Sequence, residues 1–266
     1  MPYFTTEDGC KLFYTTYGFE TSKPFAIFLN GATQTTLYWG THVPAFSRYF
    51  RLLFYDARAQ GRSDLGRQPL TLQQHVSDLK GLLDRLAIDK AQLVGISHGA
   101  RVALAFANEL PQMVDHLVLC SLGLKTNERS KTVIRSWLAI LQLSGVEAMA
   151  WAALPVIFGN NFLKQHKRML DKIVKAVVKR NRKRALIAQL DAVLHYPPPT
   201  GIPAPYRPPM LVISGSEDPI INQADARQLA NLYEARHEEL SGVGHSIPAE
   251  APLLFEKILI DFLVKS

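Results

Sequence analysis

The segment Gly-Ile-Ser-His-Gly around Ser97 limits what this chain can fold into more than any other part of the sequence. The apolar residues of Leu93–Ile96 before the serine predict a short buried strand, and Arg101–Leu110 predicts a buried helix that ends before a proline. A chain that passes from strand to helix so abruptly needs small residues at the turn, which Gly95 and Gly99 provide. The pattern predicts a strand–turn–helix unit that presents Ser97 as a candidate nucleophile.

Strand and helix patterns alternate on both sides of this unit, which indicates an α/β fold with a mostly parallel, doubly wound sheet covered by helices on both faces. An N-terminal β-hairpin is predicted by two alternating runs around the turn Glu7-Asp8-Gly9. The predicted strands are Tyr3–Thr6, Cys10–Tyr17, Pro24–Leu29, Arg51–Tyr55, Val114–Leu119, Met210–Gly215 and His237–Leu240, and the predicted helices are Leu37–Phe46, Thr71–Leu86, Gln223–Tyr233 and Pro252–Val264.

The alternation stops in the second half of the chain. Residues 125–206 show only helical patterns and a proline-rich exit, while residues 1–124 and 207–266 carry the strands. Ligands of open α/β sheets bind at the carboxyl ends of the strands, where an insertion after a strand also lies. We therefore predict a core of residues 1–124 and 207–266 with an all-helical lid, residues 125–206, over the site.

Length and composition fit a single large globular domain, with 266 residues of which 47% are hydrophobic and 20% charged. The first residues do not resemble a signal peptide, and no apolar run reaches the ~20 residues of a membrane-spanning helix. Cys10 and Cys120 are far apart and do not suggest a disulfide framework. We expect a cytoplasmic protein.

A serine nucleophile needs a base that takes its proton and an acid that orients the base. Asp218 follows the predicted strand Met210–Gly215, and His245 lies in a glycine-containing loop after the last predicted strand. Both positions lie at the carboxyl edge of the sheet, and Asp218 has only its neighbour Glu217 as a rival. For the oxyanion that forms during acyl transfer, the backbone N–H groups of Ala32 and His98 are the candidate donors.

These motifs resemble those of the α/β-hydrolase fold superfamily of serine hydrolases with a helical lid, over essentially the whole chain. The resemblance implies a catalytic triad of Ser97, Asp218 and His245, with no metal and no cofactor. Four signatures carry it in order: Asn30-Gly31-Ala32, Asp56-x-Arg58-x-x-Gly61-x-Ser63, Gly95-x-Ser97-x-Gly99, and Gly215-x-x-Asp218 with Gly244-His245.

The family pattern does not select one substrate. The expected reaction is hydrolysis of a carboxylic ester or thioester with an apolar acyl part. Asn30-Gly31 stands where His-Gly is usual, and with Thr35 and Thr36 it resembles acyltransferases that take hydroxyacyl chains from acyl carrier protein. An acyltransferase with the same triad and a non-catalytic ligand receptor on the same fold therefore stay open as alternatives.

The positive charge of the chain is concentrated in the predicted lid. The net charge is +7, but residues 161–185 hold ten Lys or Arg and one Asp, so this stretch carries +9 and the remainder −2. The segment Leu163–Lys183 has apolar residues along one side and cations along the other. The cations considered as a partner surface are Lys164, Arg168, Lys172, Lys175 and Lys179.

Three interpretations of this basic face are open: a solvated lid surface, docking of an acidic partner, and contact with an anionic membrane surface, of which the membrane is the least favoured. The arrangement resembles pimeloyl-acyl-carrier-protein methyl esterases, which implies acyl carrier protein as the partner. Nucleic acid does not suit a buried acyl-transfer site. The apolar stretch Ser136–Phe158 predicts an acyl pocket beneath the lid.

Overall fold

The computed structural model describes residues 2–265 and contains an eight-stranded sheet with the order β1-β2-β4-β3-β5-β6-β7-β8. The two N-terminal strands form the predicted hairpin, and β2 pairs with β4 in antiparallel fashion. All the other pairs are parallel, which confirms the mostly parallel sheet. The strands are β1 Tyr3–Thr5, β2 Lys11–Tyr17, β3 Phe25–Leu29, β4 Arg51–Tyr55, β5 Ala91–Ile96, β6 Val114–Cys120, β7 Met210–Gly215 and β8 Arg236–Leu240.

Helices cover both faces of the sheet, as a doubly wound fold requires. On one face α2, α3 and α8 pack apolar side chains such as Leu79, Phe106 and Leu229 against the strands. On the other face, Phe46 of α1 and Phe255 of α10 pack against the strands. The helices are α1 Val43–Phe46, α2 Leu72–Arg85, α3 His98–Glu109, α4 Glu128–Ile157, α5 Asn160–Gln165, α6 Leu170–Arg180, α7 Lys183–His195, α8 Gln223–Tyr233, α9 Ile247–Glu250 and α10 Pro252–Lys265.

Between β6 and β7 the described chain has only helical elements, α4 to α7 and two short 3₁₀ segments, Lys167–Met169 and Ala204–Tyr206. The bounds 125 and 206 for a separate lid stay a prediction. The first lid helix, α4, is interrupted at Gly145, whose φ of 85° and ψ of −174° are not helical. Its two halves therefore take different directions, and their residues Ile134 and Met149 both join the main core.

By length and composition alone, α4 is apolar enough to cross a membrane. The expectation that no apolar run reaches the length of a membrane-spanning helix was therefore wrong for this helix. The helix is broken at Gly145 and contains Pro155, and its partly buried side chains Val133, Leu138 and Val146 pack on the main core. Only 22% of its most apolar window is buried, so these contacts account for part of its apolar composition.

Two helix predictions differ from the structure in their extent. The helix expected at Leu37–Phe46 is a 3₁₀ segment, Thr36–His42, followed by one short α-helix. Pro44 in the first turn of α1 has no N–H to continue the hydrogen-bond ladder from the segment before it. The amphipathic segment Leu163–Lys183 is also divided, because α5 ends at Gln165 and α6 begins at Leu170.

Candidate active site

Ser97 lies at a sharp turn between β5 and α3. Its φ of 53° and ψ of −114° are strained for a residue with a side chain. Only glycine fits on either side, since a Cβ at Gly95 would lie 2.6 Å from the Ala100 Cα and one at Gly99 would lie 2.7 Å from the Asn30 oxygen. Helix α3 begins at His98, three residues before the predicted start, because the turn is completed within Ser97.

Asp218 and His245 form a buried pair at the carboxyl ends of β7 and β8. The Nδ1 atom of His245 lies 2.7 Å from Oδ2 of Asp218. The other carboxylate oxygen accepts hydrogen bonds from the backbone N–H groups of Ile220, at 2.8 Å, and Ile221, at 3.0 Å. The carboxylate is therefore held in one orientation. Because it contacts Nδ1, the other ring nitrogen of His245, Nε2, is directed away from Asp218.

The loop that carries His245 is bound to the lid. The backbone N–H of His245 donates to the carbonyl of Ile157, the last residue of α4, at 2.9 Å. Glu250 accepts hydrogen bonds from the amides of Gly159 and Gly244, at 2.8 and 2.9 Å. Burial raises the pKa of the Glu250 carboxyl. These contacts fix the end of α4 beside the His245 loop, so the lid takes part in positioning the histidine.

The loop after β3 carries the other candidate oxyanion donor, Ala32. Asn30 anchors this loop, since its amide donates to the Tyr55 carbonyl at 2.8 Å and its Oδ1 accepts from the Trp39 indole at 2.8 Å. The buried Asp56 holds the next turn by accepting from the Thr36 amide at 2.6 Å. Burial raises the pKa of Asp56. Asn30 is therefore a structural residue: its amide group anchors the loop at the position where the family usually has a histidine.

A cavity of about 100 Å³ brings the predicted site together, and we call it the Ser97 cavity. Ser97, His245, Ala32 and His98 all line it. Apolar side chains form much of the remaining wall, from both halves of α4 and from α7: Ile134, Trp137, Met149, Ala153, Leu190 and Val193. Predicted residues from three separate loops thus meet at one place beneath the lid, and Asp218 joins them through its contact with His245.

A second cavity of about 330 Å³, the outer chamber, shares part of its wall with the Ser97 cavity, including Met149 and Ala153. Its walls are mainly apolar and include Ile173 and Val177 of α6. The apolar side of the amphipathic segment therefore faces the cleft, as the sequence pattern suggests. The cations Lys164, Arg168, Lys172, Lys175 and Lys179 are all exposed.

Sequence reasoning missed two polar residues near the nucleophile. Arg101, four residues after Ser97, and Tyr196, at the end of α7, line a third cavity of about 60 Å³ together with Ser97 and His98. The Tyr196 hydroxyl lies 3.1 Å from Nε2 of His98. Burial lowers the pKa of His98 well below its usual range. A charged residue within the otherwise apolar start of α3 was the sequence signal for Arg101.

Within residues 2–265, no cluster of three or more His, Cys, Asp or Glu side chains is arranged to hold a metal ion. The sequence model of the alpha/beta hydrolase family matches residues 26–257. The chain belongs to the alpha/beta hydrolase family. It is an enzyme, and the members of this family that it resembles include hydrolases.

Two curated relatives match along nearly their whole length. The 3-oxoadipate enol-lactonase 2 of Acinetobacter baylyi is 24% identical, with 96% of each chain covered. A Bacillus subtilis family member, provisionally named 2-succinyl-6-hydroxy-2,4-cyclohexadiene-1-carboxylate synthase, is 29% identical, with 97% of each covered. The crystal structure of the enol-lactonase from Burkholderia xenovorans LB400 superposes with a TM-score of 0.87 at 28% identity, covering 98% of this chain and 99% of that one. These similarities extend over core and lid alike.

Proposed function

We propose that the chain is a serine hydrolase that cleaves a carboxylic ester or thioester with an apolar acyl part. Ser97 attacks the carbonyl while His245, oriented by Asp218, takes the hydroxyl proton. The amides of Ala32 and His98 stabilise the oxyanion, and His245 then protonates the leaving group. Water releases the acid from the acyl-enzyme in the second half of the reaction.

One observation carries this proposal: the strained Ser97 lines the same cavity as His245, and His245 is hydrogen-bonded to Asp218. A strained backbone at a turn is retained only where the surrounding structure holds it, and such strain concentrates at active sites. The apolar walls of the outer chamber support an apolar acyl part, because every buried CH₂ group contributes about 0.8 kcal/mol to binding.

The test combines turnover with covalent labelling. Ser97→Ala is expected to lower kcat for p-nitrophenyl esters by about 10⁴-fold or more and to abolish labelling by a fluorophosphonate. Ser246→Ala is the matched control, because Ser246 lines the same cavity but its hydroxyl is 2.9 Å from that of Tyr38. Labelling that survives in Ser97→Ala but disappears in Ser246→Ala would remove Ser97 from the nucleophile role.

The alternative acyltransferase activity uses the same residues and differs in the acceptor. Product analysis with and without an added alcohol or thiol separates the two reactions. Free acid as the main product in both cases is the result expected of a hydrolase. A receptor without catalysis would neither turn over esters nor be labelled at Ser97.

We further propose that the substrate is carried by an acidic protein of the acyl-carrier type, which docks on the basic lid face. Two features support this: the cations Lys172, Lys175 and Lys179 are exposed on α6, and the apolar side of the same helix lines the outer chamber. A carrier bound to the outer side would thus lie close to the chamber that receives its acyl chain. Cytoplasmic localisation stays a prediction.

Charge reversal tests the docking. Lys175→Glu combined with Lys179→Glu is expected to lower kcat/KM for a carrier-linked thioester by about 10-fold, mainly through slower association at low salt. The control, Lys11→Glu with Lys257→Glu, makes the same change of charge at exposed positions on β2 and α10. Equal losses for the two double variants, or activity that ignores salt, would contradict specific docking.

A further inference from the structure

Two arginines of this chain are almost completely buried, and they have opposite surroundings. Arg58 is 0% exposed and is held by two carboxylates, Asp8 at 2.7 Å and Asp78 at 2.7 Å. Arg101 is 7% exposed, and among the described residues no carboxylate lies within 4.0 Å of its guanidinium and no side-chain hydrogen bond holds it. The fold therefore neutralises one buried cation and leaves the other without a counter-ion.

An unpaired buried charge opposes folding, because the group loses its hydration without gaining a partner. Burial lowers the pKa of Arg101 to about 10, so the guanidinium still carries its proton at neutral pH. Arginine also contributes packing through its aliphatic stem, but an apolar residue would do this at the same place without the charge. A charge in such surroundings points to a ligand that is absent when the protein is alone.

Arg101 lines two cavities, and the one that it shares with Ser97 is where a ligand would also meet the nucleophile. Arg101 lies four residues after Ser97 on α3, and its backbone N–H donates to the Ser97 carbonyl at 3.0 Å. Ser97 and Arg101 both line the cavity of about 60 Å³ that we call the Arg101 cavity.

The Arg101 cavity and the Ser97 cavity are neighbours, since Ser97, His98 and Ile134 line both. A bound water needs roughly 10–15 Å³ on the same scale, so about 60 Å³ accommodates a group of a few heavy atoms. Its lining also includes the hydroxyl-bearing side chains Thr126 and Tyr196. The Ser97 cavity thus lies between the apolar outer chamber, with which it shares Met149 and Ala153, and the Arg101 cavity.

We infer that Arg101 binds a carboxylate of the substrate, so that the preferred ester or thioester carries a carboxylate a short linker away from the scissile carbonyl. This inference rests on the proposed hydrolase activity and adds a substrate class to it. A guanidinium donates two parallel N–H groups to a carboxylate, which fixes the direction of the group as well as its charge. Arg101 is then a specificity-determining residue.

The kinetic test compares two p-nitrophenyl esters of equal chain length, a hemiglutarate with a free carboxylate and a neutral valerate. Wild-type protein is expected to prefer the hemiglutarate in kcat/KM. Arg101→Met should reduce the ratio of the two kcat/KM values by about 10- to 100-fold, as expected for loss of a charge-assisted hydrogen bond. Arg101→Lys, which keeps the charge without the fork, should give an intermediate ratio.

Arg135→Met is the matched control, because Arg135 is an exposed arginine on α4, and it should leave the ratio as in wild type. A wild-type protein that favours the neutral ester, or an Arg101→Met ratio equal to that of wild type, would overturn the inference. Thermal unfolding checks that Arg101→Met folds, and since it removes an unpaired buried charge, its Tm should not fall.

A binding measurement separates this inference from the proposed reaction. Glutarate is titrated by calorimetry into Ser97→Ala protein and into the double variant that also carries Arg101→Met. Binding to the first and about 10-fold weaker binding to the second supports the carboxylate site even if no ester is turned over. Equal affinity for both proteins, or inorganic phosphate binding more tightly than glutarate, would overturn the inference while leaving the hydrolase activity to its own test.

Discussion

Asp218→Asn is expected to abolish most of the activity while leaving the fold intact, and the geometry of the carboxylate explains why. Its Oδ1 accepts two backbone N–H groups, from Ile220 and Ile221, and its Oδ2 contacts Nδ1 of His245 at 2.7 Å. An asparagine must keep its oxygen towards the two amides, because only an acceptor satisfies them. Its NH₂ group then faces His245.

An NH₂ group is a donor, so Nδ1 of His245 has to become the acceptor and the ring proton moves to Nε2. An imidazole in that tautomer cannot take the proton of Ser97. In another serine hydrolase the equivalent change lowers kcat by about 10⁴-fold, and we expect a loss of 10³- to 10⁴-fold here. Both backbone hydrogen bonds to Oδ1 survive, so Tm should change by no more than a few degrees.

The assay is steady-state hydrolysis of a p-nitrophenyl ester at saturating substrate, beside thermal unfolding. Glu217→Gln is the matched control, since Glu217 is the adjacent carboxylate but its Oε2 accepts from the Asn160 amide, at 2.6 Å. Its kcat should stay within about threefold of wild type. If Asp218→Asn kept more than a tenth of the activity, or if Glu217→Gln lowered kcat by more than about threefold, Asp218 would not be the group that sets the tautomer of His245.

Two further predictions concern the elbow and the buried histidine behind it. Gly99→Ala should lower the free energy of unfolding by about 1–3 kcal/mol and reduce kcat, because its Cβ would overlap the Leu29 carbonyl. Gly201→Ala is the control, since its Cβ meets no atom within 4 Å and should change neither quantity. Denaturant unfolding measures the stability of the two variants, and ester hydrolysis measures their kcat. Burial lowers the pKa of His75 to about 4, so the folded state loses stability as the pH falls from about 6.5 towards 4. His75→Leu should flatten that pH dependence in thermal unfolding, and an unchanged slope would contradict it.

The parts of the fold that could be predicted from sequence are those that depend on local patterns. Apolar runs such as Phe25–Leu29 are buried along their whole length, and their order along the chain specified a parallel sheet. Ser97 could be placed because Gly95 and Gly99 occupy the two positions of its turn at which a Cβ does not fit. Asp218 and His245 could be brought to one edge because the carboxyl ends of parallel strands meet there.

The parts that could not be predicted depend on contacts between distant segments. The break of α4 at Gly145 is set by the packing of its two halves over the core, whereas a single glycine in a helical pattern carries no direction. The contact between Tyr196 and His98 joins residues that lie far apart in the sequence. The sequence shows Arg101 only as a charge in an apolar helix, and the absence of a carboxylate partner depends on segments distant in the chain.

The two proposals together fix the direction in which a substrate binds. A carboxylate placed in the outer chamber would lose its hydration among mainly apolar side chains at a cost of several kcal/mol, and Arg101 would stay unpaired. With the carboxylate in the Arg101 cavity instead, the carboxylate pairs with the guanidinium, and the apolar part of the substrate lies against Met149 and Val177 in the outer chamber. Because the Ser97 cavity lies between these two regions and shares walls with each, only this orientation brings a carbonyl to the nucleophile with both ends of the substrate in compatible surroundings. Selectivity for substrates with one charged and one apolar end then follows from the position of a single unpaired guanidinium.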